Sequence, residues 1–101
     1  MKMEIYRNWD KGREMKRGIL IHKKDNVVVV TDPVAAGDVI CYQEDGMERH
    51  FTAREDIPIY HKGAICRIEE GEPIVKYGEK IGVASRTILE GQHVHTHNCE
   101  G

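Results

Sequence analysis

The sequence predicts an all-β fold, a barrel or compact sandwich of short strands. Three observations carry this prediction. Apolar residues come in short branched runs such as Val27 to Val30, glycine, proline and aspartate interrupt them at close intervals, and no stretch sustains a 3.6-residue period over the length of a helix. A chain of 101 residues can bury one modest core but cannot enclose a cleft between two domains of its own. A domain or subunit that serves a larger partner is at least as natural as a complete enzyme.

Taken in order, residues 1–18 are polar, mixed in charge and without a period; with Tyr6 and Trp9 they read as an irregular arm or a short helix packed on a neighbour. From Gly18 the character changes. In "GILIHKKDNVVVVTD" the valine run favours a strand, and Asp25-Asn26 favours a turn before it. "DVICYQEDGMERHF" reads as two strands about the Asp45-Gly46 turn. "TAREDI" has the makings of a single helical turn, and "IPIYHKGAICRIEEG", "EPIVKYGEKIGVAS" and "QHVHTHNC" supply the remaining strands. "VAAGDVI", "IEEGEPI" and "ILEGQHV" each set an apolar residue three positions before Gly37, Gly71 or Gly91 and a polar residue directly after it. That pattern predicts a tight turn whose glycine takes a positive φ and feeds the next strand; three occurrences do not by themselves establish a duplication.

Fifteen lysines and arginines against seventeen acidic residues give a formal charge of -2, with the signs interspersed. Nucleic acid is therefore not an expected partner, since it calls for a concentrated basic face. The nearest basic run, Lys11 to Arg17, is broken by Glu14 and reads as solvated surface. No apolar run approaches the roughly 20 residues of a membrane span, and the start lacks a secretory signal, so the expected location is the cytoplasm. Cys41, Cys66 and Cys99 are odd in number and widely spaced, which argues for reduced thiols. Cys41 and Cys66 are expected in the core, and Cys99 beside the last histidines.

The chemistry-bearing residues gather at strand ends. In "GQHVHTHN", His93, His95 and His97 fall on alternate positions, so an extended strand would put them on one face, roughly 6.5–7 Å apart. A divalent ion needs nitrogens about 2.0–2.1 Å away, so two of these rings could close on one ion while a third would come less easily; a further ligand would have to arrive from another strand or a partner. The same face could instead move protons, bind a carboxylate, or be plain surface. His22 with Asp25, and His61 with Lys62, flank apolar strands and suit either acid–base work or turn stabilisation. Lys76 and Tyr77 follow Ile74-Val75, where the lysine could meet an anion. His50 reads as surface. The chain carries no phosphate-cradling glycine loop, nucleophile elbow or Cys-x-x-Cys pair.

With these residues in view, the span from Ile19 to Asn98 resembles the small SAF-type domain of the altronate and galactarate dehydratase family, to which the small subunit of sulfolactate sulfo-lyase is closely related. The resemblance rests on "IHKKDNVVVV", "HKGAICRIEEGEPIVKYGEKIGVAS" and "ILEGQHVHTHN", and the pairing of "IVKYGEKIG" with "GQHVHTHN" is its most specific part. It implies a compact SAF/β-clip domain over 19–101 and a lyase that removes water, or sulfite in the sulfo-lyase branch, from an acidic sugar-derived substrate. It also implies a large dehydratase subunit as partner and a divalent metal, iron or manganese, shared with it. By position it marks His22, His61 and Lys62 as catalytic; Asp25, Asn26, Lys76, Tyr77 and Asn98 as substrate-binding; and His93, His95 and His97 as metal ligands. Homo-oligomerisation stays open. Tyr60 departs from the glycine usual before His-Lys, "NVVVV" is bulkier than the usual alternation, and residues 1–18 have no counterpart. Two other readings stand beside this one: a SAF-type module that binds a ligand or protein without catalysis, and a small metal enzyme active alone.

Overall fold

A computed structural model of the chain describes residues 14–101. The described residues form short β-strands with no helix, in keeping with a SAF/β-clip-like domain. The strands are β1 (Met15–Ile19), β2 (Val27–Val30), β3 (Val39–Glu44), β4 (Met47–Thr52), β5 (Lys62–Ala64), β6 (Pro73–Lys76), β7 (Glu79–Ala84), β8 (His93–Val94) and β9 (Cys99–Glu100). Six of them pair in the order β4-β3-β1-β2-β5-β8 and three in the order β6-β7-β9. The expected arm lies outside the described residues as far as residue 13, while Met15 to Gly18 belong to β1, which runs parallel to β3 and antiparallel to β2. No helix among the described residues is long and apolar enough to cross a membrane.

The valine run becomes a strand because it is buried on both faces. Val28 and Val30 point into a cluster with Val34, Ile40, Tyr42, Phe51, Ala53 and Ile57. Val27 points the other way, into a cluster with Ala64, Ile68, Ile74, Ala84, Ile88 and Val94. A strand repeats every two residues, so one strand of β-branched side chains can divide two cores. β5 does the same with small residues: a Cβ at Gly63 would stand 3.0 Å from Ile57 of the first cluster, and Ala64 sits in the second.

The three predicted glycine turns form as expected, with φ of 95° at Gly37, 89° at Gly71 and 93° at Gly91. A fourth turn, at residues 57–61, follows the same plan with Tyr60 at φ 69° in the glycine's place. In all four the last residue donates its N–H to the carbonyl three residues earlier: Asp38 to Ala35, His61 to Pro58, Glu72 to Glu69 and Gln92 to Leu89. The turns meet in pairs through isolated bridges, Val34 to Ile57 over one core and Ile68 to Ile88 over the other. Each positive-φ residue donates to the carbonyl four positions before its partner's bridge residue: Gly37 to Ala53, Tyr60 to Val30, Gly71 to Ala84 and Gly91 to Ala64. The four turns thus form two similar pairs, one over each of two small cores.

The structure corrects several sequence expectations. "TAREDI" is not a helical turn but a bent link that ends in the Ile57 bridge. Cys66 is exposed and Cys41 only half-buried, because each falls where its strand or loop faces outward; all three thiols are free. Lys16 is not free surface: it donates to Asp38 Oδ2 at 2.9 Å and to the Pro33 carbonyl at 2.8 Å.

Candidate metal centre

The terminal histidines do not lie along one extended strand. β8 ends at Val94, whose side chain is fully buried, and the chain then reverses into β9. Asn98, 3% exposed, directs the reversal: its Nδ2 donates to the His93 carbonyl at 2.9 Å, and its Oδ1 accepts from the His95 N–H at 3.0 Å. The N–H groups of Asn98 and Cys99 both reach back to the His95 carbonyl. The reversal gathers rings that a straight strand would keep apart. His93 and His95 stack with centroids 5.5 Å apart and planes 10° from parallel, and His97 stands 5.3 Å from His93.

His61 completes the cluster from the neighbouring strand. β5 and β8 pair antiparallel with Lys62 opposite Val94 and Gly63 opposite His93, which sets His61 at the mouth of the terminal turn. Its ring lies 4.6 Å from that of His95, and its Nδ1 shares a hydrogen with His93 Nε2 at 2.9 Å. Among the described residues, His61, His93 and His95 each offer a nitrogen within 4.8 Å of the other two. Two nitrogens bound to one tetrahedral ion stand about 3.3 Å apart when each bond is about 2.0–2.1 Å, so the 4.8 Å limit on these three leaves them to close in before they share an ion. This His-rich group could coordinate a divalent metal, and three imidazoles suit a first-row transition ion.

The electrostatics favour the ligating form. Burial first, and then the charges that His61, His97 and His95 would carry, push His93 down to about 4, against the opposing pull of Glu55. A neutral imidazole is the form that binds metal. His95 is lowered as well, by desolvation and then by His61, Lys62 and His97. Glu55, which nothing in the sequence marks beyond its charge, accepts the His93 N–H at 2.9 Å and fixes the start of β8. Lys62 sits against this group, its ammonium lowered by burial and then by Lys76, with Cys99 acting the other way. A desolvated cation beside a tri-histidine cluster is suited to meet an anion.

His22, Asp25, Asn26, Lys76 and Tyr77 meet at a different corner. The Asp25 carboxylate, 6% exposed, accepts N–H groups from His22 at 3.0 Å, Tyr77 at 3.1 Å and Gly78 at 2.8 Å. Asn26 pairs with β6 as a strand would: its Oδ1 accepts from Val75 N–H at 2.8 Å and its Nδ2 donates to the Pro73 carbonyl at 3.0 Å. Together they fasten the β6–β7 hairpin to the link before β2. His22 is exposed, accepts the Lys24 N–H at its Nδ1, and covers Gly78 so closely that a Cβ there would stand 2.9 Å from the ring. Tyr77 is exposed at φ 59° in the hairpin turn, with Lys76 Nζ 5.1 Å from its ring centre.

Comparison with known proteins agrees with this architecture. The chain is 39% identical over 86 residues to altronate dehydratase of Bacillus subtilis (strain 168), a match that covers 85% of the chain but 16% of that protein. It is 38% identical over 80 residues to altronate dehydratase of Escherichia coli (strain K12), covering 79% of the chain and 15% of that protein. It is 35% identical over 90 residues to the (2R)-sulfolactate sulfo-lyase subunit alpha of Chromohalobacter salexigens, covering 85% of the chain and 96% of that subunit. The chain therefore spans about a sixth of the dehydratases and nearly the whole of the sulfo-lyase subunit. The profile of the altronate/galactarate dehydratase SAF domain matches residues 16–101, and the chain belongs to that family.

Proposed function

We propose that this chain is the SAF-type part of a hydro-lyase that dehydrates an acidic, sugar-derived substrate, in an active site shared with a larger lyase chain. The observation that carries the reading is the convergence of His61, His93 and His95 beside the half-buried Lys62. His61, His93 and His95 would hold a divalent ion, iron or manganese, which when bound would polarise substrate oxygens and stabilise charge next to a carboxylate. Lys62 would meet the substrate carboxylate or assist the departing hydroxyl, and His97 would line the entrance. Asp25, Asn26 and Asn98 would act by holding backbone, since their polar atoms are engaged by amides and carbonyls. Lys76 and Tyr77 would offer polar contacts at the rim, and His22 would stay with the corner it covers.

His95 is exposed, so ligand positions on its side would be open to substrate and to groups from the larger chain. Co-expression with the large lyase-like chain of the same cell, followed by assay of sugar-acid dehydration, tests the proposal. His61→Ala, His93→Ala and His95→Ala should each lower turnover by about 100-fold or more, since losing even an outer-shell partner of a metal ligand costs about 10–100-fold. Unchanged turnover in all three would overturn it. A second reading, sulfite elimination, is favoured by the 35% identity over 90 residues to the sulfo-lyase subunit; release of sulfite from sulfolactate instead of water from a sugar acid would select it.

A further inference from the structure

The four equivalent turns differ at one atom that matters for the histidine cluster. In three of them the final side chain caps the N–H of the turn's first residue: Asp38 accepts from Ala35 at 2.8 Å, Glu72 from Glu69 at 2.8 Å and Gln92 from Leu89 at 2.8 Å. In the fourth, the final residue is His61 and the first is Pro58, which has no N–H to cap. The backbone is otherwise the same: His61 N–H still reaches the Pro58 carbonyl at 3.0 Å, and Tyr60 N–H still reaches its strand carbonyl at 2.7 Å.

An imidazole could make the missing bond. Its Nδ1 stands as many bonds from the backbone as an aspartate or asparagine oxygen, and Asp38, Asp25 and Asn98 all cap the amide three residues earlier from that distance. An amide hydrogen at position 58 would thus compete for the nitrogen of His61 that meets His93. We infer that Pro58 is a positioning residue of the cluster: by withholding the hydrogen that its sister turns cap, it leaves the His61 imidazole free to face His93 and His95. The metal readout below rests on the function proposed above, but the amide readout does not.

The test uses the full chain labelled with nitrogen-15 and the variant Pro58→Ala, a change that costs a turn little when the backbone suits both residues. The amide created at position 58 should be protected from hydrogen exchange to the same degree as the capped amides of Ala35, Glu69 and Leu89, measured alongside it, and His61→Ala in the same background should remove that protection. Cobalt(II), followed by its visible absorption, should bind Pro58→Ala about five- to tenfold more weakly than the parent chain, the weight of one net hydrogen bond. The double variant Pro58→Ala/His61→Asp, which rebuilds the turn of residues 35–38, should melt above Pro58→Ala and protect the new amide even if the single variant folds poorly. A proline that merely stiffened the turn would, once replaced, lower the melting temperature while cobalt affinity stayed unchanged and the new amide stayed unprotected. That result, or an unprotected amide in the double variant, overturns the inference. Failure of the parent chain to take cobalt would count against the metal centre, while the exchange data would still decide the role of Pro58.

Discussion

Single side chains set the backbone of this small domain. Asp38 shows how. Burial opposes its charge, but the Ala35 N–H, the Lys16 ammonium and the Glu14 N–H outweigh that cost and hold its carboxyl below the usual value of 3.8. In the unfolded chain the group takes up a proton first as pH falls, so its stabilisation is complete above about pH 4 and is lost as pH drops through the folded value. Urea midpoints of the parent chain should therefore fall more steeply below pH 4 than those of Asp38→Asn, which should be destabilised by about 1–2 kcal/mol at neutral pH; parallel pH profiles would contradict this. Tyr60 makes a second case. It is 69% exposed and takes φ 69°, a conformation costing a bulky residue about 1 kcal/mol or more. Tyr60→Gly relieves that strain and gives up little buried surface, while the looser unfolded chain offsets part of the gain. Thermal melts should show a small rise, about 2–4 °C, with no loss of fold.

At the scale of elements, the recurrent turn is the working part. Glycines 37, 71 and 91 mark three of its copies in the sequence, because only glycine takes the required φ without strain. The copy at residues 57–61 carries no such mark, because Pro58 and Tyr60 replace the residues that signal the others. Gly91 has a second reason to be glycine: a Cβ there would stand 2.3 Å from the Thr52 carbonyl oxygen. Gly91→Ala thus meets both a φ of 93° and backbone that cannot yield, and should cost about 3 kcal/mol or more. Because this turn launches β8, metal affinity should fall with stability, and a denaturant curve with a cobalt titration checks both. The terminal element is shorter than its pattern suggests for a related reason. Alternating histidines look like a strand in sequence, but Asn98 bonds the backbone on both sides of Val94 and bends the chain after it.

For the molecule as a whole, two cores share β2 and β5, so neither half of about 40 residues has enough buried surface to stand alone. Ile40→Ala in the first core and Ile88→Ala in the second should each cost about 3–4 kcal/mol, since both side chains are fully buried. In native-state hydrogen exchange each should raise the opening of β4 and β7 together; opening of one half alone would show the cores to be independent. The same arrangement explains the site, because joining β5 to β8 brings His61 to residues 32 and 34 positions further along the chain. Local chemistry was enough to determine the all-β class, the valine strand, the Asp45-Gly46 hairpin and the glycine turns, since strand period and positive φ are properties of neighbouring residues. Which histidines meet, that Asp25 and Asn26 clamp a hairpin, and that Cys66 faces outward were decided by pairing between distant segments, for which the one-dimensional pattern holds no distance.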